Sequence, residues 1–309
     1  MNSTIKVLVV CSKNSGRISP FVSDQVDALI QSGVNCQYFT IESKGWRGYL
    51  KSRKPLLDKI KQFKPDLLHA HFGLSGFLAN LQFNIPVITT FHGCDINKLS
   101  LRLLSYYPLI MSDYCIFVSA NQAAKIPFFK SKSSIVPCGI DFETFYPIDK
   151  IEARKKLNWD LKKRIVLFSS KFNRPEKNAP LAFEAMKLLP SDYELVELYG
   201  YSREEVNLVM NAVDIGLLTS IREGSPMFFK ELMACGKPIV TTNVGDAVEQ
   251  LSDIEGCFII PYDAIKICEA IEKAIHTQKI DYPQEKLDRV DNRHIAARLI
   301  SIYNKLVKK

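Results

Sequence analysis

The feature that most constrains this chain is an alternation, run through twice, of short apolar stretches with segments of helical period. Residues 5–11 are brief, rich in Val and Leu, and followed by a loop holding Ser12, Asn14, Ser15 and Gly16, the pattern of a buried parallel strand. Phe21, Val22, Val26, Leu29 and Ile30 then recur near helical spacing, and Gly33 stops that helix before a strand at 36–41. Further strands fit 66–70, 86–91 and 114–119, with another starting at Ile135. A turn-rich exit at 139–147 leads to a linker near 148–162. The second block predicts strands at 164–169, 194–199, 213–219 and 238–242, with helices at 179–189, from Arg203, and at 228–234. Ser202 and Glu205 have the spacing of a capping box for the middle helix. Near the end, Ile295, Leu299, Ile302 and Leu306 fall on one helical face. The expectation is an α/β chain of two tandem Rossmann-like domains facing across a cleft, 1–148 and 160–292, with the helix 293–309 packed back on the first.

A length of 309 residues accommodates two such domains. The N-terminus carries no secretory pattern, and no stretch reaches the ~20 apolar residues of a spanning helix, so a cytosolic chain is expected. Eight cysteines stand at 11, 36, 94, 115, 138, 235, 257 and 268, none as C-x-x-C, which argues against a zinc site or a disulfide framework. The net charge of +8 is uneven: residues 1–150 hold 17 Lys+Arg against 10 Asp+Glu, and the remainder holds 24 against 23. Much of the excess lies in 44–64, where Lys44, Arg47, Lys51, Arg53, Lys54, Lys59, Lys61 and Lys64 surround Trp46, Tyr49, Leu50, Leu56 and Leu57. Such a mixture suits anionic lipid headgroups or a phosphorylated acceptor, and equally a solvated helix; nucleic acid is not expected as a partner.

In open parallel sheets ligands bind beyond the carboxyl ends of the strands. The richest such stretch is 214–246, where a loop with Glu223 and Gly224 precedes a helix. Ser225 is read as its N-cap and Pro226 as its first residue, so that amides and helix dipole favour an anion or a hydroxyl-rich group there. Gly224 lets the main chain approach such a ligand, and Gly236 suits a left-handed helix stop. His69 and His71 form an H-x-H pair; strand alternation is expected to turn them to opposite faces, against a shared metal.

These blocks resemble the family-4 glycosyltransferases of the GT-B fold. Glu223 and Glu231 match that family's Glu-x7-Glu motif within EGSPMFFKELMACGKPIV, and HAHFG at 69–73, FHGCDI at 91–96, PCGID at 137–141, PEKN at 175–178 and VGDAVE at 244–249 follow in the family's order. The resemblance covers nearly the whole chain and implies a retaining, metal-independent transfer from a nucleoside-diphosphate sugar, without a cofactor. It implies that Glu223 binds sugar hydroxyls, that the chain after it from Gly224 and Ser225 through Pro226, Met227 and Phe228 grips sugar or phosphate, and that Glu231 holds the ribose. Lys177 would contact the donor diphosphate and stabilise the leaving group. His92 matches the cleft histidine near the reacting sugar, Asp95 completes HG-x-D on the acceptor side, and Gly16 matches the glycine loop after the first strand. The acceptor would be a glycan or glycolipid of cell-surface polysaccharide or lipopolysaccharide synthesis.

Two departures stand out. SSKFNRPEKN lacks the family's G-R-L run, leaving Arg174 or Lys171 as second phosphate ligand, with Arg174 favoured for its planar fork. Between Asn178 and Gly200 there is room for only one helix and one strand, so the base pocket is trimmed and Tyr201 is a candidate to frame the base. A nicotinamide enzyme lacks its G-x-G-x-x-G turn here. A nucleotide-sugar epimerase and a non-catalytic glycosyltransferase-like subunit are the remaining rivals; acceptor-free sugar interconversion would mark the first, loss of cleft residues the second.

Overall fold

The computed structural model describes residues 4–43, 45–127, 132–277 and 279–307. The chain divides into two compact units, residues 1–139 with 291–309, and residues 140–290. The first holds a six-stranded parallel sheet: β1 (Lys6–Ser12), β2 (Asn35–Ile41), β3 (Leu67–His71), β4 (Val87–Phe91), β5 (Tyr114–Phe117) and β6 (Ser133–Ile135), in the order β2-β1-β3-β4-β5-β6. The second holds β7 (Arg164–Phe168), β8 (Tyr193–Glu197), β9 (Ile215–Leu218), β10 (Ile239–Thr242) and β11 (Cys257–Ile260), all parallel, in the order β11-β10-β9-β7-β8. Both belong to the GT-B pattern of parallel α/β sheets, and in each the order reverses beside its first strand. Such a reversal opens a crevice at the strand ends.

Continuous apolar strands need cover on both faces. In β1, Val7, Val9 and Cys11 pack with Val22, Val26 and Leu29 of the helix Pro20–Gln31, while Leu8 and Val10 pack with Leu56, Phe63 and Leu78 on the other side. In β7, Ile165 and Leu167 face one core and Val166 and Phe168 another. The closing helix Asn292–Val307 lays Ile295, Leu299, Ile302 and Tyr303 on the first unit's core; residues 308–309 lie outside the described chain.

Two elements depart from the sequence reading. Residues 148–162 are folded into the second unit rather than forming a linker: the helix Lys150–Lys156 carries Arg154, 2% exposed, whose guanidinium donates to the carbonyls of Ala212 and Lys163 and pairs with Asp214 at 2.7 Å. An arginine in a basic run looks solvated until partners such as Asp214, sixty residues away, are known. The strand β11 is also new: its four apolar residues lie half-buried in the sheet and pair with β10.

The charge run 44–64 becomes two helices, Gly45–Lys51 and Arg53–Phe63. Tyr49 and Leu56 are buried, whereas Trp46 and Leu50 are exposed, with Arg47 over the Trp46 ring at 5.3 Å; Lys44 lies outside the described residues. All eight cysteines are free. No helix among the described residues is long and apolar enough to cross a membrane.

Candidate active site

In the second unit the loops after β7, β9 and β11 meet at one end of the sheet. Ile221 N donates to Glu176 O at 3.0 Å, Thr219 Oγ1 to the carbonyls of Lys177 and Asn178, and Tyr262 Oη to Ser220 O at 3.0 Å. These bonds set the loop after β9 beside the 3-10 turn Pro175–Lys177, across the β7–β9 reversal. Lys177 Nζ there donates to Glu223 Oε1 at 2.6 Å, with side chains 11% and 15% exposed. A lysine and a glutamate distant in sequence thus face each other at the crevice where a doubly wound sheet binds its ligand.

The helix Met227–Ala234 follows, carrying Glu231 half-buried, and ends at Gly236, whose φ of 68° is the left-handed stop expected of it. Pro226 occupies the cap position of this helix, one residue after the expected Ser225. Ser225 donates to Asp246 Oδ2 at 3.0 Å and accepts from Lys230, which also pairs with Asp246 at 3.1 Å. Lys230 is fully buried and Asp246 3% exposed. Burial makes loss of either partner costly, and the pair holds the Ser225 hydroxyl from both sides. A β-carbon on Gly245 would lie 2.7 Å from Pro226 Cδ, so the loop after β10 is pressed against the same turn. Sequence reasoning missed Lys230 and Asp246; the available signal was a lysine directly after the apolar Met227, Phe228 and Phe229.

Of the other candidates, Phe228 is buried in the core and Met227 packs against it. Arg174 is exposed and bonded to Glu176 at 3.0 Å through Nε, while Lys171 lies over the Tyr199 ring at 4.4 Å. Tyr201 is half-buried, 6.5 Å from Trp159 ring to ring, and burial raises its phenol pKa.

In the first unit the helix Pro20–Gln31 and the loops after β3 and β4 converge on His92. Its ring lies 4.8 Å from Phe21, 4.6 Å from Phe72 and 5.2 Å from His71. Phe72 holds φ at 73°, a conformation unusual for a residue with a side chain and characteristic of sites where strain is retained. His92 Nε2 is 2.9 Å from His71 Nδ1, and its Nδ1 is 3.6 Å from Cys138 Sγ.

The expectation that His69 and His71 diverge is overturned: their rings stack at 4.5 Å. Strand side chains alternate with period two, so residues i and i+2 share a face and only adjacent residues diverge. His69 bridges Tyr303 Oη at 2.6 Å and Thr90 Oγ1 at 2.7 Å. No metal-binding group of His, Cys, Asp or Glu occurs among the described residues. Burial holds His69 and His92 well below the ordinary imidazole pKa and brings His71 down to about 3.

Asp95 is buried and accepts from the amides of Gly93 (2.8 Å), Gly73 (3.2 Å) and His92 (3.2 Å), tying the loops after β3 and β4 together. Burial raises its pKa to about 6 against the opposing pull of those amides. Gly16, at φ 87°, has open space where a β-carbon would stand.

Residues 3–144 match the model of glycosyltransferase family 4, and residues 175–277 that of the glycosyl transferases group 1. The chain belongs to this family of GT-B glycosyltransferases. It is 26% identical over 251 residues to TuaC of Bacillus subtilis (strain 168), a glycosyltransferase assigned to teichuronic acid biosynthesis, covering 71% of this chain and 64% of that one. It is 24% identical over 290 residues to the Escherichia coli UDP-Gal:alpha-D-GlcNAc-diphosphoundecaprenol alpha-1,3-galactosyltransferase, covering 79% and 73%. It spans about half to three quarters of the length of the curated relatives it matches. In fold it is similar to a sucrose-phosphate synthase from Thermosynechococcus elongatus, with a TM-score of 0.84, 17% identity and 99% of each chain covered.

Proposed function

We propose that this chain transfers a sugar from a nucleoside-diphosphate sugar to a glycan or lipid-linked acceptor of surface-polysaccharide synthesis, retaining the anomeric configuration and using no metal. The Lys177–Glu223 pair across the β7–β9 reversal carries the reading. Before donor binds, each side chain neutralises the other. A diphosphate arriving at Lys177 takes over the ammonium and leaves the Glu223 oxygens to accept sugar hydroxyls, so one exchange of partners seats both halves of the donor. As the glycosidic bond breaks, negative charge grows on the diphosphate, and a fixed ammonium is worth more in that state than in the ground state. The same ammonium supplies the charge that a divalent ion provides in metal-dependent transferases.

Glu231 would receive the ribose hydroxyls, and the rigid turn Gly224–Ser225–Pro226 the sugar or phosphate. His92, its nitrogens facing His71 and Cys138, would shape the wall beside the reacting sugar, with Gly16 leaving room for donor and acceptor. Retention is the expectation lent by the family; a lipid-linked acceptor and a UDP donor follow the E. coli relative. Contact of residues 44–64 with an anionic membrane belongs to the same reading, through exposed Trp46 and Leu50 beside Arg47 and Lys51.

Calorimetric titration with UDP, GDP and ADP, then with their sugar conjugates, tests the donor site. Micromolar binding of one diphosphate, lost in Lys177→Ala, is the expected result. Binding of none, or binding indifferent to that change, would remove the basis for the proposal.

A further inference from the structure

The helix Leu99–Met111 breaks the usual rule that a surface helix turns its apolar stripe inward. Leu99, Leu103, Tyr106 and Ile110 follow one another at i, i+4, i+7 and i+11, and are 64%, 63%, 42% and 60% exposed. Leu104 and Met111 extend the stripe on its flank at 42% and 41%. Six large apolar side chains on a thirteen-residue helix form a patch that a water-facing surface does not normally keep.

The opposite face is anchored. Ser105 Oγ donates to Asp95 O at 3.0 Å, Tyr107 Oη to Asn80 O at 3.3 Å, and Phe77 meets Tyr107 ring to ring at 5.1 Å. Glycines allow this close approach: a β-carbon on Gly73 would lie 2.1 Å from Ser105 Oγ, and one on Gly76 2.9 Å from Pro108. The outward face is therefore presented by a fixed helix and is no loose turn awaiting a place in the core.

The nearby charge identifies what covers it. Lys98 precedes the helix, Arg102 lies in its first turn, and Lys125 donates to Asn97 Oδ1 at 2.6 Å, which brings a third cation to the same end. Between residues 92 and 127 the only carboxylates are buried Asp95 and exposed Asp113. Apolar side chains with cations at one end suit an interface whose interior is hydrocarbon and whose surface is anionic.

We infer that the exposed face of the helix Leu99–Met111 is the chain's principal anchor on an anionic lipid bilayer, with Lys98, Arg102 and Lys125 at the headgroups. The inference deepens the lipid-linked part of the proposed function and rests on it only for purpose. Through Ser105 and Asp95 the helix is tied to the loop bearing His92, so a lipid-borne acceptor would arrive beside the first unit's candidate site.

Sedimentation with vesicles of phosphatidylcholine, alone or mixed equally with phosphatidylglycerol, tests this. The full chain is expected to pellet with the mixed vesicles. Leu103→Glu with Ile110→Glu should lower the partition coefficient more than about tenfold, and Lys98→Glu with Arg102→Glu about fivefold or more per charge. Trp46→Glu with Leu50→Glu should cost less than the first pair. All these positions are at the surface, and unchanged diphosphate binding by the variants would show that the fold and donor reading stand independently. Binding unaffected by the Leu103/Ile110 pair, or lost only with the Trp46/Leu50 pair, would overturn the inference. So would a concentration-dependent dimer that the Leu103/Ile110 pair converts to monomer, which would assign the face to a second copy.

Discussion

Where β3 and β4 end, three imidazoles stack among Phe21, Phe72 and Tyr303, held neutral by burial, and the one carboxylate present is bound to amides. Where β7 and β9 end, charge is kept and paired: Lys177 with Glu223, Lys230 with Asp246. One architecture thus supplies two kinds of surface. The first unit offers shape, stacking and neutral hydrogen bonds, suited to a ring such as a sugar. The second offers preorganised charge, suited to a diphosphate. The difference follows from local sequence, since the HAHFG and FHGCDI loops bring rings to the strand ends while PEKN and EGSP bring ions.

The largest effect should come from breaking charge in the second unit. Lys177→Ala and Glu223→Ala are each expected to lower kcat/KM about 10³-fold while thermal unfolding stays close to that of the parent chain. Full activity in either would show that the ion pair is structural. The double variant should lose little more than the worse single, because two groups that exchange partners during one step do not act additively.

The next effect belongs to the first unit and runs through pH. His69 and His71 take up protons below about 6.5 in the unfolded chain but stay neutral in the fold, His71 down to about 3. The unfolded state therefore binds more protons on acidification, and stability falls as pH drops through 6.5. Half-buried His92 adds to the loss. Asp95 opposes it: with its pKa raised to about 6, it binds its proton in the fold before the unfolded chain does. The net loss from pH 7 to 5.5 is about 3 kcal/mol. Urea denaturation at the two pH values measures it, and equal or greater stability at pH 5.5 would refute the neutral-imidazole description.

What the sequence revealed divides along the same line. Strand and loop positions were legible because apolar runs and glycines are local signals; the capping box at Ser202 and Glu205 formed with both hydrogen bonds. The convergence of Lys177 and Glu223 was suggested by family motifs, although their contact spans 46 positions and needs the β7–β9 pairing to exist. Arg154, Lys230 and Asp246 were not legible, because a buried charge looks like a surface one until its distant partner is placed. The histidine stack was misread through strand geometry.

Glu231 tests the donor side more gently. Glu231→Gln keeps an acceptor but removes the charge that strengthens hydrogen bonds to ribose hydroxyls. The expected loss of nucleotide affinity is about tenfold, with kcat nearly unchanged because binding to ribose is uniform along the reaction. A fall in kcat at constant KM would move Glu231 from nucleotide binding to the reacting sugar.

The smallest effect should separate Arg174 from Lys171. Arg174 is 52% exposed and holds Glu176, while Lys171 is engaged over Tyr199. Arg174 can turn a planar fork to a phosphate at the cost of a solvent-screened pair, whereas Lys171 must leave an aromatic face to offer a single point of charge. Arg174→Ala should therefore weaken diphosphate binding about threefold to fivefold, the range of an exposed ionic contact, and Lys171→Ala by less. The two losses should shrink with added salt, unlike the loss in Lys177→Ala, whose partly buried ammonium is poorly screened. A larger effect at Lys171 would reverse the assignment and place the second phosphate toward Tyr199, on the β8 side of the crevice.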